Sequence, residues 1–227
     1  MKNVLLFGSN GSIGNYIYNK FLNLDEFNIY GTSSKKKNKF IHIDCFDENT
    51  LINLDKLDKL DIIIWCQGIN INNTIENLEM KKHLDIMNCN CNFIIETLNY
   101  LLKKNKINKN GKLCIISSIW EKCVRDNKFS YCVSKSALEG LVKSISIDLS
   151  YKNILINNIL PGPIDNNMTR TMLTKEQYNK VCNYTGFNRL VSLEDIYELV
   201  YYLCIINKSI TGQSITIDLS LTNYIKI

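Results

Sequence analysis

The sequence predicts an α/β fold: a doubly wound parallel sheet with helices on both faces, in a single domain spanning residues 1–227. Two observations carry that expectation. Apolar runs of strand length recur along the chain, and helix-period segments lie between most of them. A third supports it. Runs such as Asp61-Ile62-Ile63-Ile64-Trp65 are apolar without alternation, the pattern of strands buried on both faces.

The elements follow in order. Strands are expected over 3–7, 27–32, 39–43, 61–66, 112–117, 154–160 and 214–218, about seven in all. Helices are expected over 12–24, about 79–104, 130–150 and 193–206. The first run, Val4-Leu5-Leu6-Phe7, passes straight into Gly8-Ser9-Asn10-Gly11-Ser12-Ile13-Gly14 and then into a helical pattern of Ile13, Ile17, Phe21, Leu22 and Leu24. Strand, glycine turn and helix make the setting a dinucleotide-phosphate loop needs, because glycines let the backbone approach a pyrophosphate and a helix N-terminus offers N–H donors. A tight turn with no ligand would look the same in isolation. In open parallel sheets ligands sit at the carboxyl ends of the strands. Gly8, Asp44, Gly68, Ser118 and Pro161-Gly162 all fall at such ends.

Composition excludes several classes. Both prolines stand in one motif, Pro161-Gly162-Pro163, and no linker or repeat divides the chain, which supports a single domain. The net charge of +5 is mild, and Lys35-Lys36-Lys37 is the one tight basic run, so no nucleic-acid partner is expected. No apolar run is long enough to span a bilayer and no secretory leader is expected, so the reading is cytoplasmic with no membrane partner. In that compartment the nine cysteines are expected as thiols. No metal site is expected either: Cys89 and Cys91 point apart on a helix, and only His42 and His83 are available.

The pattern Tyr-x-x-x-Lys occurs at Tyr16/Lys20, Tyr100/Lys104 and Tyr131/Lys135. Only the third opens a long amphipathic helix and has a serine, Ser118, upstream at the end of an apolar strand. Residues four apart share a helix face. An ammonium there lowers the pKa of the phenol and makes a general acid/base of it.

With these motifs the chain resembles the short-chain dehydrogenase/reductase family over essentially its whole length, which implies a Rossmann-like sheet. Gly8 and Gly14 match the ends of the family's glycine loop, with Ser12 in place of the middle glycine and Gly11 one place earlier. Asp44, followed by Cys45, matches the family's adenine-binding aspartate. Only Gly68 survives of the Asn-Asn-Ala-Gly segment, which reads Trp65-Cys66-Gln67-Gly68 here. Asn88 is matched to the asparagine of the catalytic tetrad, and Ile115-Ile116-Ser117-Ser118 to the family's Ile-Ser-Ser. Pro161, Gly162 and Ile164 match the segment beside the nicotinamide, and Asn166 stands where a threonine is common.

The resemblance implies that Tyr131 exchanges the substrate proton, Ser118 holds the substrate oxygen, Lys135 lowers the tyrosine pKa and holds the nicotinamide ribose, and Asn88 fixes a relay water. The implied cofactor contacts are Gly8, Asn10, Gly11, Ser12, Ile13, Gly14, Ser33, Ser34, Lys35, Asp44, Cys45, Gly68, Tyr131, Lys135, Pro161, Gly162, Ile164 and Asn166. NADP(H) is favoured over NAD(H), because the second strand ends in Ser33-Ser34-Lys35 with no carboxylate to repel a 2′-phosphate. The expected partner is a small carbonyl or alcohol substrate, covered by a lid at 165–189. A homodimer or homotetramer is expected through the helices at 79–104 and 130–150. Met87, Phe93, Ile94, Leu98, Leu101 and Leu102 on the first, and Leu138, Leu141, Val142, Ile145, Ile147 and Leu149 on the second, exceed what one sheet contact needs. Two other readings stay open: a nucleotide-sugar epimerase or dehydratase, hinted at by the glycine spacing, and a non-catalytic NADP-binding sensor or scaffold, hinted at by the eroded Asn-Asn-Ala-Gly segment.

Overall fold

The structure is a computed structural model that describes residues 1–172 and 174–223. Its strands are β1 (Lys2–Phe7), β2 (Phe27–Ser33), β3 (Ile41–His42), β4 (Leu60–Trp65), β5 (Ile107–Ile116), β6 (Leu155–Pro161) and β7 (Gln213–Ile217). They form one parallel sheet in the order β3-β2-β1-β4-β5-β6-β7. The helices are α1 (Ser12–Leu22), α2 (Met80–Met87), α3 (Phe93–Lys103), α4 (Phe129–Asp148), α5 (Asn167–Met172), α6 (Lys175–Cys182) and α7 (Leu193–Tyr201). The chain reverses direction across the sheet between β1 and β4, and that reversal opens a crevice at their carboxyl ends.

Two apolar layers cover the sheet. Leu5, Phe7, Ile63 and Trp65 pack with Leu98 and Leu101 of α3 and with Leu138 and Val142 of α4. Val4, Leu6, Ile62 and Ile64 pack with Ile17 and Phe21 of α1 and with Ile196 and Val200 of α7. Neighbouring residues of β1 and β4 therefore enter opposite layers, and both layers are buried. This is why the runs do not alternate. Each such side chain contributes about 1.5–3 kcal/mol by leaving water. Phe7 and Trp65 stack at 5.8 Å beneath the crevice, and the Trp65 indole donates to the Thr97 hydroxyl at 3.0 Å.

The structure departs from expectation in a few places. β5 begins at Ile107, ahead of the expected start, and its pairing with β4 shifts register between Leu60 and Ile62. Glu48–Lys56 forms a 3₁₀ helix where no element was expected, started by Asp47, whose carboxylate accepts from the Asn49 N–H. The helix expected over 79–104 is interrupted by one wider π turn at Asn88–Asn92, between α2 and α3. α7 likewise runs into a π turn at Tyr202–Ile206. The segment 165–189 contains α5 and α6.

Candidate active site

The glycine loop is shaped by contact with its own backbone. Gly8 has φ +78, and a β-carbon there would lie 2.7 Å from the Gln67 nitrogen on β4's exit. A β-carbon on Gly14 would lie 2.2 Å from the Gly8 carbonyl oxygen, so only glycine lets α1 seat on the turn. The Ser9 hydroxyl donates to Leu6 O at 2.8 Å and accepts from Thr32 N at 3.2 Å, tying the loop to the end of β2.

A cavity of about 410 Å³ opens beside this loop. Gly8, Asn10 and Gly11 form one rim, and Ser33, Ser34 and Lys35 another. Asp44, Cys45 and Phe46 close the far side, with Gly68 and Phe93 on the remaining wall. Lys37 reaches back to the Asn10 side-chain oxygen at 2.5 Å. The Ser33 hydroxyl accepts from Lys35 N at 3.1 Å, and Asp44 accepts from Phe46 N at 3.1 Å. A glycine turn without β-carbons, apolar walls and a hydroxyl-and-lysine rim fit the phosphate and adenosine parts of a dinucleotide. Ser12 lines a neighbouring depression together with Asn166, Ile13 is half-buried, and Gly14 is packed beneath the loop.

Ser118, Tyr131 and Lys135 converge at the end of β5. Ser118 is buried, and its hydroxyl accepts from Trp120 N at 3.3 Å, starting a short turn over Ile119–Glu121. The opening of α4 is pinned by buried Asn73. That side chain donates to the Ser130 hydroxyl at 2.7 Å and accepts from Ser130 N at 3.1 Å, while His83 Nδ1 lies 2.9 Å from the same hydroxyl. Tyr131 and Lys135 follow one turn apart, with the Lys135 ammonium 5.7 Å from the Tyr131 ring centroid. Lys135 is only 3% exposed, and its Nζ donates to Ile116 O at 3.1 Å.

Electrostatics here run partly against expectation. Burial pulls the Lys135 ammonium down to about 8, opposed first by the charge of Glu121. Burial pushes the Tyr131 phenol up, and a hydrogen bond with Ser118 pulls the other way. The expected lowering of Tyr131 by Lys135 does not appear: desolvation of the phenolate is the largest effect, and the pull against it comes from Ser118.

Asn88 does not reach this group. Its side chain is exposed, where it accepts from Asn92 Nδ2 at 2.8 Å. Asn90 takes the place expected of it. Its Oδ1 accepts from Ile69 N at 2.8 Å, and its Nδ2 donates to Ile69 O at 3.0 Å and to the Ser134 hydroxyl at 2.9 Å. A β-carbon on Gly68 would lie 3.3 Å from Asn90 Oδ1 and 3.9 Å from Lys135 Nζ, so the three residues adjoin. The π turn carries the extra residue that rotates Asn90 inward.

Pro161 and Gly162 end β6 against Asp218, whose Cβ would lie 2.9 Å from a β-carbon on Gly162. Ile164 bridges to Val191, and the Asn166 side chain accepts from Thr169 N at 2.8 Å.

The family whose sequence profile is described as Enoyl-(Acyl carrier protein) reductase matches residues 38–222. The 3-oxoacyl-(acyl-carrier-protein) reductase FabG of Buchnera aphidicola subsp. Baizongia pistaciae is 25% identical over 235 residues, covering 96% of each chain. That of Rickettsia bellii is 28% identical over 230 residues, covering 94% of each. Among solved structures, a short chain dehydrogenase family protein from Francisella tularensis superposes with a TM-score of 0.89 at 23% identity, over 99% of this chain and 100% of that one. ElxO with NADP bound superposes with a TM-score of 0.87 at 22% identity, over 98% and 99%.

The chain belongs to the short-chain dehydrogenase/reductase family. It is an oxidoreductase of that family.

Several features of this dehydrogenase/reductase were hidden from sequence reasoning. Most apolar residues of the two long helices are spent inside the molecule. Phe93, Ile94, Leu98, Leu101, Leu138, Val142 and Leu149 belong to the core, and Met87, Leu102, Leu141 and Ile145 pack against it, leaving Ile147 at 74% exposure. Arg170 pairs with Asp165 through two contacts of 2.7 Å, and Arg189 pairs with Asp195 at 3.1 Å. Among the described residues all nine cysteines are free, no group of side chains could hold a metal, and no helix is long and apolar enough to cross a membrane. Glu121, buried beside Ser117, was not anticipated. Asn158, a polar residue in a strand buried on both faces, is the signal that could have pointed to a partner there.

Proposed function

We propose that this enzyme is NADP(H)-dependent and interconverts a carbonyl and a hydroxyl on a small substrate, with Tyr131 as the acid/base. The observation that carries the reading is the meeting of Ser118, Tyr131 and Lys135 at one strand end, with Asn90 behind them. Tyr131 donates the proton to the carbonyl oxygen in reduction and takes it back in oxidation. Ser118 holds that oxygen and steadies its developing charge. Lys135 holds the ribose of the cofactor and passes a proton toward Tyr131. Asn90 orients the Gly68-Ile69 segment beside them. The cofactor, when bound, supplies or accepts the hydride.

Gly8, Asn10, Gly11 and Ser12 would hold its phosphates, and Asp44 and Cys45 its adenine. The β2 end supports NADP(H) over NAD(H): Ser33, Ser34 and Lys35 face the cavity, and none carries a negative charge. Residues 165–189, with α5 and α6, would act as the substrate lid within a single domain. Relatives named as 3-oxoacyl-(acyl-carrier-protein) reductases make a 3-oxoacyl thioester the first substrate class to test.

The deciding experiment is NADPH oxidation followed by absorbance with a panel of carbonyl substrates, 3-oxoacyl thioesters first. Tyr131→Phe should lower turnover by about two to four orders of magnitude while leaving cofactor affinity near wild type. Wild-type-like turnover in the variant refutes the role of the phenol.

A homodimer or homotetramer in the cytosol completes the proposal. The exposed face of α4 runs Val133, Ser136, Gly140, Ser144 and Ile147 at helical spacing, small and apolar enough for a second copy to approach closely. Light scattering coupled to size exclusion should give a dimer or larger at micromolar concentration. A fully active monomer counts against it.

A further inference from the structure

Glu121 is a buried carboxylate that the proposed chemistry does not use. It is 5% exposed and closes the turn that starts at Ser118. Its Oε2 accepts from the Ser117 hydroxyl at 2.6 Å and from Asn158 Nδ2 at 3.0 Å. Its N–H donates to Ser118 O at 3.0 Å, and its carbonyl accepts from the Ser136 hydroxyl at 3.1 Å, next to Lys135. Asn158 continues to the Ser214 hydroxyl at 3.3 Å. The acidic side chain therefore joins the end of β5 to β6 and, through Asn158, to β7, while the backbone of the same residue holds α4.

This arrangement is costly in isolation. Among the described residues Glu121 has no cation in contact, and its Oε1 and Asn158 Oδ1 are buried without hydrogen-bond partners. A buried carboxylate lacking a paired charge normally destabilises a fold. The buried cation on the same strand end is Lys135. Its ammonium is held by Ile116 O, and the next residue, Ser117, is held by Glu121. We infer that Glu121 is a positioning residue: its carboxylate fixes the Ser117-Ser118 turn and supplies the negative charge that keeps Lys135 protonated, so it sets the upper pH limit of turnover in the reduction direction.

The groups facing these two side chains support that assignment. Around Lys135 stand Tyr131 on its own helix, Cys66 from the end of β4, Cys89 and Cys91 from the π turn, and Glu121 from the turn after β5. Glu121 is the only ordinary carboxylate of the set, and it raises Lys135 more than any of the thiols do. Around Glu121 itself stand Glu139, which pushes its carboxyl further up, and Lys122, which pulls it down; burial raises it most, and the bond from Ser117 opposes that.

The inference rests on the proposed role of Lys135 in turnover, so its test reads Lys135 directly as well. Lysine-labelled, cofactor-free protein is titrated by NMR, with Lys135→Arg used for assignment, and the pH profile of kcat/KM for reduction is measured in parallel. Glu121→Gln keeps the shape and loses the charge. Its Lys135 midpoint should fall below the wild-type value, and the high-pH limb of the profile should move the same way. Glu121→Asp keeps the charge and shortens the reach. It should lower kcat while leaving the limb near wild type. Equal effects of the two substitutions, or an unchanged Lys135 midpoint in Glu121→Gln, overturn the inference. A shifted midpoint with an unmoved limb overturns its claim on turnover. Full activity in Tyr131→Phe would instead remove the acid/base reading, and the NMR titration would still decide the charge effect.

Discussion

Replacing Lys135 with methionine should make the protein more stable at neutral pH. The lysine is 3% exposed, and burial holds it at about 8 against an ordinary value of 10.5. Each tenfold weakening of proton binding on folding costs about 1.4 kcal/mol, so the charged form costs on the order of 3 kcal/mol when protonated in both folded and unfolded chains. The sign follows from proton counts. The folded lysine binds its proton less tightly than the unfolded one, so the cost is fully present below about pH 8 and is relieved as pH rises toward 10.5. Methionine keeps the apolar stem and removes the charge. It also leaves Ile116 O without its donor, a loss of about 1 kcal/mol. The net expectation is a gain of about 2 kcal/mol at pH 7. The assay is urea unfolding of cofactor-free protein followed by tryptophan fluorescence, at pH 7 and at pH 10. Groups remote from Lys135 titrate alike in both proteins, so the difference between them reports Lys135 together with the thiols of Cys66, Cys89 and Cys91 that its charge lowers. The advantage of the variant should shrink by roughly 2 kcal/mol at pH 10. A variant less stable than wild type at pH 7, or a gap independent of pH, refutes the account of Lys135 as a strained buried charge.

Two further outcomes are expected. Asn90→Ala should lower kcat/KM and cost about 1–3 kcal/mol of stability, because buried partners at Ile69 and Ser134 lose their bonds, whereas exposed Asn88→Ala should behave as wild type; the reverse ranking would return the role to Asn88. The unmodified protein should bind NADPH more tightly than NADH, and Ser33→Asp should flatten or invert that preference by placing a carboxylate at the β2 end; fluorescence titration checks both, and equal affinities in the unmodified protein remove the argument.

The fold was legible because both faces of the sheet are covered. That forces unbroken apolar runs, and β1, β2, β4 and β6 lie within a residue or two of where those runs put them. β5 starts early because Ile107 still pairs with Leu60 beyond a register shift, which no hydrophobic pattern announces. Glycine positions were legible for a similar reason: Gly8 and Gly14 answer to backbone contacts that exclude any β-carbon. The site was read less well where geometry departs from regular periods. Asn88 and Asn90 lie about 200° apart on a regular helix, so only one of them can face inward, and the order of motifs along the chain does not say which; the structure exposes Asn88 and buries Asn90 within the π turn. The apolar residues on α3 and α4 do not say by themselves what covers them, because burial by the sheet cannot be told from burial by a partner in one sequence. Glu121 was invisible because an acid beside Trp120 and Lys122 reads as a solvated turn.

The strand order also bears on how the chain is made. Each strand joins an existing edge as it emerges: β2 and β3 extend one side of β1, then β4, β5, β6 and β7 extend the other. No strand has to be inserted between two that are already paired. Synthesis from the N-terminus can therefore build the sheet outward without undoing a ladder. Meanwhile the open side of β1, with Val4 to Phe7 all apolar, waits for residues 60–65. An uncovered apolar edge is a template for wrong pairing. The seam that ends as the ligand crevice is thus, on the ribosome, an edge the nascent chain must keep from its neighbours.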